Sequence, residues 1–152
     1  MLQGWLDWHR QTLLTKCAGL TAEQLKLASA DPSNLTLLGL VRHMTEVERS
    51  WFRVRAAGQA DLGDVYCAPD NMDADFDDVA GADAEADLKA FAAELPLCDE
   101  AVADLPLEHG FISSRGKPMS LRWVYLHMIE EYARHNGHAD LIRERIDGAT
   151  GD

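Results

Sequence analysis

Hydrophobic side chains recur at steps of three and four along four stretches of the chain, the spacing that gathers them on one face of an α-helix. In the first, residues 2–18, Trp5, Leu6, Leu13 and Leu14 form the stripe and Gly19 follows as a stop. A short helical turn is expected next, because Thr21 and Gln24 have the spacing of a capping box. The second stretch follows the loop Asp31-Pro32-Ser33-Asn34, opens with Thr36 as N-cap and closes at Gly58. Leu37, Leu40, Met44, Val47 and Trp51 share its apolar face. The third opens at Asp83 and carries Leu88, Phe91, Leu95, Cys98, Val102 and Leu105, and Pro96 inside it predicts a kink or a split. The last runs from the cap Ser120 to Asp147, with Gly148 as its stop. At ~1.5 Å per residue it spans roughly 40 Å.

Elsewhere the pattern lapses. Residues 58–83 contain Asp70, Asp73, Asp75, Asp77 and Asp78 without a lysine or arginine, which reads as a solvated loop. The spacing of a calcium loop is missing, since Gly81 comes too late and no glutamate follows at the bidentate position. Residues 106–118 read as irregular, with Gly110 and Gly116 as turn residues and a short extended piece at Phe111-Ile112. Four amphipathic helices, with one long connection between the second and third, predict an all-α protein. The expected architecture is an antiparallel four-helix bundle forming a single domain over residues 1–152.

Charge narrows the partners. Twenty-six acidic against fourteen basic side chains leave a net charge of −12, and no cluster of basic residues offsets it locally. A field of that sign repels phosphate backbones and anionic bilayers, so neither nucleic acid nor a membrane is an expected partner. Cys17, Cys67 and Cys98 are odd in number and widely spaced, which suits a reducing compartment rather than a disulfide framework. Met1 to Trp5 lack the basic flank and apolar run of a leader, and no stretch approaches ~18 apolar residues, so a cytoplasmic location is expected.

The periodicity is broken in the last helix. Counting on from Leu121, Val124 and Met128 brings Glu131, His135 and His138 onto the core side before Ile142. Burying a carboxylate and two imidazoles without partners costs several kcal/mol, so something must compensate them. Glu131 and His135 are four residues apart, one turn above the other, and converge on one point. On the second helix His43, beside Leu40 and Val47, is the histidine in the most apolar context of the first three helices. Two imidazoles and a carboxylate make a three-ligand metal site with open positions, the arrangement of a catalytic rather than a structural metal. The same spacing also suits a metal-free Glu–His hydrogen-bond network, and periodicity leaves both readings open.

His138 is a candidate fourth ligand, a group behind the ligands, or a proton acceptor. His127, one turn before Glu131, is placed to orient the carboxylate or to stand partly exposed, and His9 and His109 carry no assigned role. Cys98 lies on an apolar stripe and Cys17 near a helix C-terminus, which does not favour a thiolate. Ser113 and Ser114 lack the G-x-S-x-G setting of a hydrolase nucleophile.

Two segments are distinctive: Leu38-Gly39-Leu40-Val41-Arg42-His43-Met44, continuing through Glu46 to Phe52, and Ser120-Leu121-Arg122-Trp123, leading to His127 and on to Leu141. They closely resemble the mini-circle protein branch of the DinB-like superfamily, over nearly the whole chain. The resemblance implies a four-helix bundle holding a divalent metal, with zinc first and nickel or iron as alternatives. The implied ligands are His43, Glu131 and His135. A Glu–His pair in place of the commoner His–His is similar to mycothiol-dependent maleylpyruvate isomerase, while the usual H-R-G-Q stretch reads His135-Asn136-Gly137-His138 here. Characterised relatives activate a low-molecular-weight thiol such as mycothiol or bacillithiol. The expectation is therefore a metal-dependent thiol transferase, isomerase or hydrolase acting on a small-molecule electrophile, with His138 as the catalytic proton-transfer residue and a homodimer as a plausible assembly. A non-catalytic metal- or small-molecule-binding protein is the alternative.

Overall fold

A computed structural model describes residues 1–113 and 115–151. It is mostly helical: α1 (Leu2–Cys17), α2 (Ala22–Leu25), α3 (Leu37–Glu48), α4 (Ala74–Asp77), α5 (Ala84–Val102) and α6 (Leu121–Asp147), with the short strands β1 (Gly110–Ile112) and β2 (Pro118–Ser120). Helix α1 packs along α6 and α3 along α5, while α3 also meets α6. Leu13, Leu40, Met44, Phe91, Met128 and Tyr132 are fully buried where these four meet. No helix among the described residues is long and apolar enough to cross a membrane.

The caps fall where the sequence places them. Thr36 accepts the Gly39 N–H at 2.9 Å, Asp83 accepts those of Glu85 and Ala86, and Ser120 accepts that of Trp123. Thr21 and Gln24 form the capping box. Gly148 closes α6 at φ +80°, a left-handed conformation that a residue without a Cβ adopts at no steric cost.

Three elements differ from the sequence-based expectation. Beyond Glu48 the second helix widens into a π-helix, Arg49–Ala56, in which Arg49 and Arg53 both reach Glu94 of α5 at 2.7 and 2.8 Å. Helix α5 runs through Pro96, and the proline and Ala92, four residues back, are both exposed, so the carbonyl that the proline leaves without its helical donor is open to solvent. Phe111 and Ile112 do not stand alone: β1 pairs antiparallel with β2, with Phe111 opposite Met119. Pro118 opens β2, a position where a missing N–H is tolerated in an edge strand.

The acidic connection between the π-helix and α5 is more ordered than a solvated loop. Arg42 donates to the carbonyls of Ala74 and Asp75, both at 2.9 Å, and reaches Asp87 at 3.1 Å. Glu46 accepts the backbone N–H groups of Tyr66 and Cys67. Asp70, Asp73, Asp77 and Asp78 point outward, whereas Asp75 is buried against α3. Deeper in the core, Arg10 of α1 grips Glu48 of α3 through two bonds of 2.7 Å. Tyr132 of α6 donates to Glu48 at 2.8 Å, and Arg10 reaches Asp99 of α5 at 2.9 Å, so one polar knot touches all four long helices.

Candidate metal centre

His43 stands on α3 two turns past the Thr36 cap, on the side that faces α6. Its Nδ1 lies 2.8 Å from Oδ2 of Asp75, whose side chain is almost fully buried. A carboxylate accepts, so Nδ1 carries the proton and Nε2 keeps its lone pair for a ligand. Phe76 stacks on the imidazole at 4.9 Å and 29°. That approach depends on Gly39, where an added Cβ would come within 3.0 Å of the Phe76 ring. Arg42 holds the backbone of Ala74 and Asp75, so two consecutive residues of α3 fix the connection and the carboxylate it delivers.

On α6, Glu131 and His135 meet as their four-residue spacing requires, with Oε2 and Nε2 3.4 Å apart. The His43 and His135 rings lie 4.8 Å apart, inclined at 66°. One donor atom from each of His43, Glu131 and His135 falls within 4.8 Å of the others. Donors bound to one Zn²⁺ at ~2.1 Å stand about 3–4 Å apart, so a small closure suffices for a common ion. The three side chains are 24%, 17% and 12% exposed, leaving the group accessible to a ligand from outside. Burial, and the neighbouring His43, push the His135 pKa down to about 4, so its imidazole is neutral and free to donate at neutral pH. Two imidazoles and one carboxylate fit a divalent cation of the zinc type.

These three are not on the core face of α6. Leu121, Val124, Met128, Tyr132, Ala139 and Ile142 occupy it, and Glu131, His135 and His138 run beside it, half-buried. Steps of three and four drift around a helix of 3.6 residues per turn, so a stripe read from the sequence shades into its neighbour.

His138 lies outside the group of three. Its Nδ1 is 3.4 Å from Nδ1 of His135, the nitrogen opposite the one facing Glu131. His127 reaches Glu131 from the other side, Nε2 to Oε1 at 3.6 Å, and stacks on Trp123 at 4.6 Å. His9 and His109 lie elsewhere, against Asn136 and the Ala56 carbonyl. Ser114 falls outside the described residues. The chain's own thiols are poor nucleophiles: burial pushes Cys67 up to about 11 and Cys17 up to about 12, and raises Cys98 as well. Asp75 and Arg42 escape a reading of the sequence. The available signal was the short apolar break at Ala74 and Phe76 within a run of aspartates.

A family model described as mycothiol-S-transferase matches residues 1–148. No curated protein and no solved structure matches the chain.

Proposed function

The chain belongs to the mycothiol-S-transferase family, a DinB-like family, and on that premise we propose that it is a divalent-metal-dependent enzyme joining the sulfur of mycothiol, or a related small thiol, to a small electrophile. The observation that carries this reading is the convergence of His43, Glu131 and His135, from two helices, within 4.8 Å. A divalent ion held there would supply Lewis acidity, which lowers the pKa of a bound thiol toward neutrality. With three protein ligands, a position stays open for that thiol. Zinc is the first choice of ion, with nickel and iron accepting the same ligands. The chain is read as one domain, its four long helices arranged as an antiparallel bundle.

The protein's own groups orient the ligands and handle the proton. Asp75 holds His43 with Nε2 toward α6. His138 stands in the matching place for His135: with an ion on Nε2 the His135 proton would sit on Nδ1, which faces Nδ1 of His138 at 3.4 Å. That geometry favours an orienting role for His138 over direct proton transfer. His127, beside Glu131, is the better placed acceptor for the proton leaving the thiol.

Elemental analysis of protein purified without a histidine tag, paired with thiol-dependent turnover of an electrophile, tests the reading. Stoichiometric divalent metal and turnover are expected, with both lost in His43→Ala and His135→Ala while the circular dichroism spectrum is kept. Absence of metal would overturn the metal centre. Metal without turnover across a broad panel of thiols and electrophiles would leave a binding protein.

A further inference from the structure

Beside the proposed metal centre lies a cavity of about 560 Å³, lined by Trp51, Arg55, Arg115, Lys117, Trp123 and His127 among others. That volume suits a small organic molecule. Its charge is contrary to that of the chain. Acidic side chains outnumber basic ones by 26 to 14, and most lysines and arginines are tied to carboxylates, as Arg10, Arg42, Arg49 and Arg53 are. Among the described residues five form no such pair; Lys26 and Arg145 bond backbone carbonyls instead, and the other three, Arg55, Arg115 and Lys117, all line this one cavity. Arg55 is half-buried with its guanidinium over Trp51 at 4.6 Å. Burial lowers its pKa, with Asp64 opposing from a distance, so a cation sits there without a bonded anion.

The rest of the lining is aromatic: Trp51 and Trp123 stand 5.1 Å apart with their rings inclined at 55°, and Trp123 stacks on His127. His127 also reaches Glu131, so the cavity ends one side chain short of the candidate ligand set. A body resting on the tryptophans would place a charged end among the cations and a reactive end near His127.

We propose that this cavity binds the electrophile, and that the electrophile is a small organic anion carrying a carboxylate on a flat, apolar body. This rests on the transferase reading for the chemistry, though not for the binding. Guanidinium groups match a carboxylate with two parallel hydrogen bonds, and the low-dielectric aromatic wall strengthens them. The thiol arrives separately; its S–H proton leaves toward His127, its sulfur forms a bond to the electrophilic carbon, and the leaving group departs with the bonding pair.

The probes are 4-(bromomethyl)benzoate and its methyl ester, which share a reactive carbon and differ in charge. With mycothiol as the thiol, the S–C bond forms as C–Br breaks and bromide leaves. The acid is expected to have a kcat/KM at least tenfold above the ester after subtraction of the uncatalysed rate, a preference that shrinks as salt is raised. Arg115→Gln combined with Lys117→Gln, exposed changes that leave the core untouched, should bring that ratio down about tenfold. Unreactive 4-methylbenzoate, followed by tryptophan fluorescence, should bind the His135→Ala protein as it binds the wild type and bind the double variant more weakly. Equal handling of acid and ester by the wild type, or a ratio unmoved in the double variant, overturns the anion site. If 4-methylbenzoate binds selectively but no metal-dependent turnover exists, the transferase reading fails and the anion site stands. If the ester turns over as well as the acid, the reverse holds.

Discussion

The hydrogen bond between His43 and Asp75 sets which imidazole nitrogen faces α6, while Phe76 stacks on the flat side of the ring. Asp75→Asn keeps the size and loses the charge. It is expected to weaken divalent-metal affinity about 10–100-fold, measured by competition with a chromophoric chelator, while helicity stays unchanged. The meeting of Glu131 and His135 is legible in the sequence because helical spacing is a local property and the two are four residues apart on one helix. Asp75 is not, because its partner lies 32 residues away and nothing local separates it from Asp73 or Asp77. Its burial is decided by Arg42 gripping the neighbouring carbonyls, a tertiary event.

Helix boundaries follow the same division. Thr36, Asp83, Ser120 and Gly148 mark ends through bonds spanning three or four residues, so their spacing alone locates them. The π-helix over Arg49–Ala56 has no cap and no proline to announce it; it accompanies the convergence of Arg49 and Arg53 on Glu94 of another helix. Burial pushes the Glu94 carboxyl up, but the bonds from these two arginines outweigh it, and its pKa ends below the ordinary 4.5. The unfolded chain returns Glu94 to its ordinary value and binds more protons at acid pH. The residue therefore contributes stability above about pH 4.5, lost as pH falls through the folded value. Glu94→Gln should melt at a lower temperature than the wild type at pH 7, with a gap that narrows toward pH 3 in thermal scans.

At the scale of the molecule, the Arg10–Glu48–Tyr132 knot, with Asp99, ties the four long helices together beside the hydrophobic core. Burial alone would weaken the hold of Arg10 on its proton, but the Glu48 carboxylate overrides this and keeps it charged. Glu48→Ala takes from Arg10 its two buried bonds and from Tyr132 its acceptor, leaving Arg10 only the more exposed Asp99 and Asp7, and should cost about 3 kcal/mol in urea unfolding, while Arg10→Met with Glu48→Leu should recover much of the loss. Neither residue stands out in the sequence, where each is one charged position among many; their meeting depends on the register of whole helices. The mostly helical character was legible from periodicity, whereas the small β1–β2 sheet and the way those helices are keyed to one another were not.

Residues 57–83 look, by composition, like a convenient place to splice in a tag or to nick the backbone. The grip of Arg42 and Glu46 on that stretch makes it a strap whose tension is transmitted to an imidazole. Cutting or lengthening it should therefore disarm the proposed centre while sparing the fold's interior, so an engineer wanting a tolerant insertion point should look past this tempting linker to the tail beyond α6.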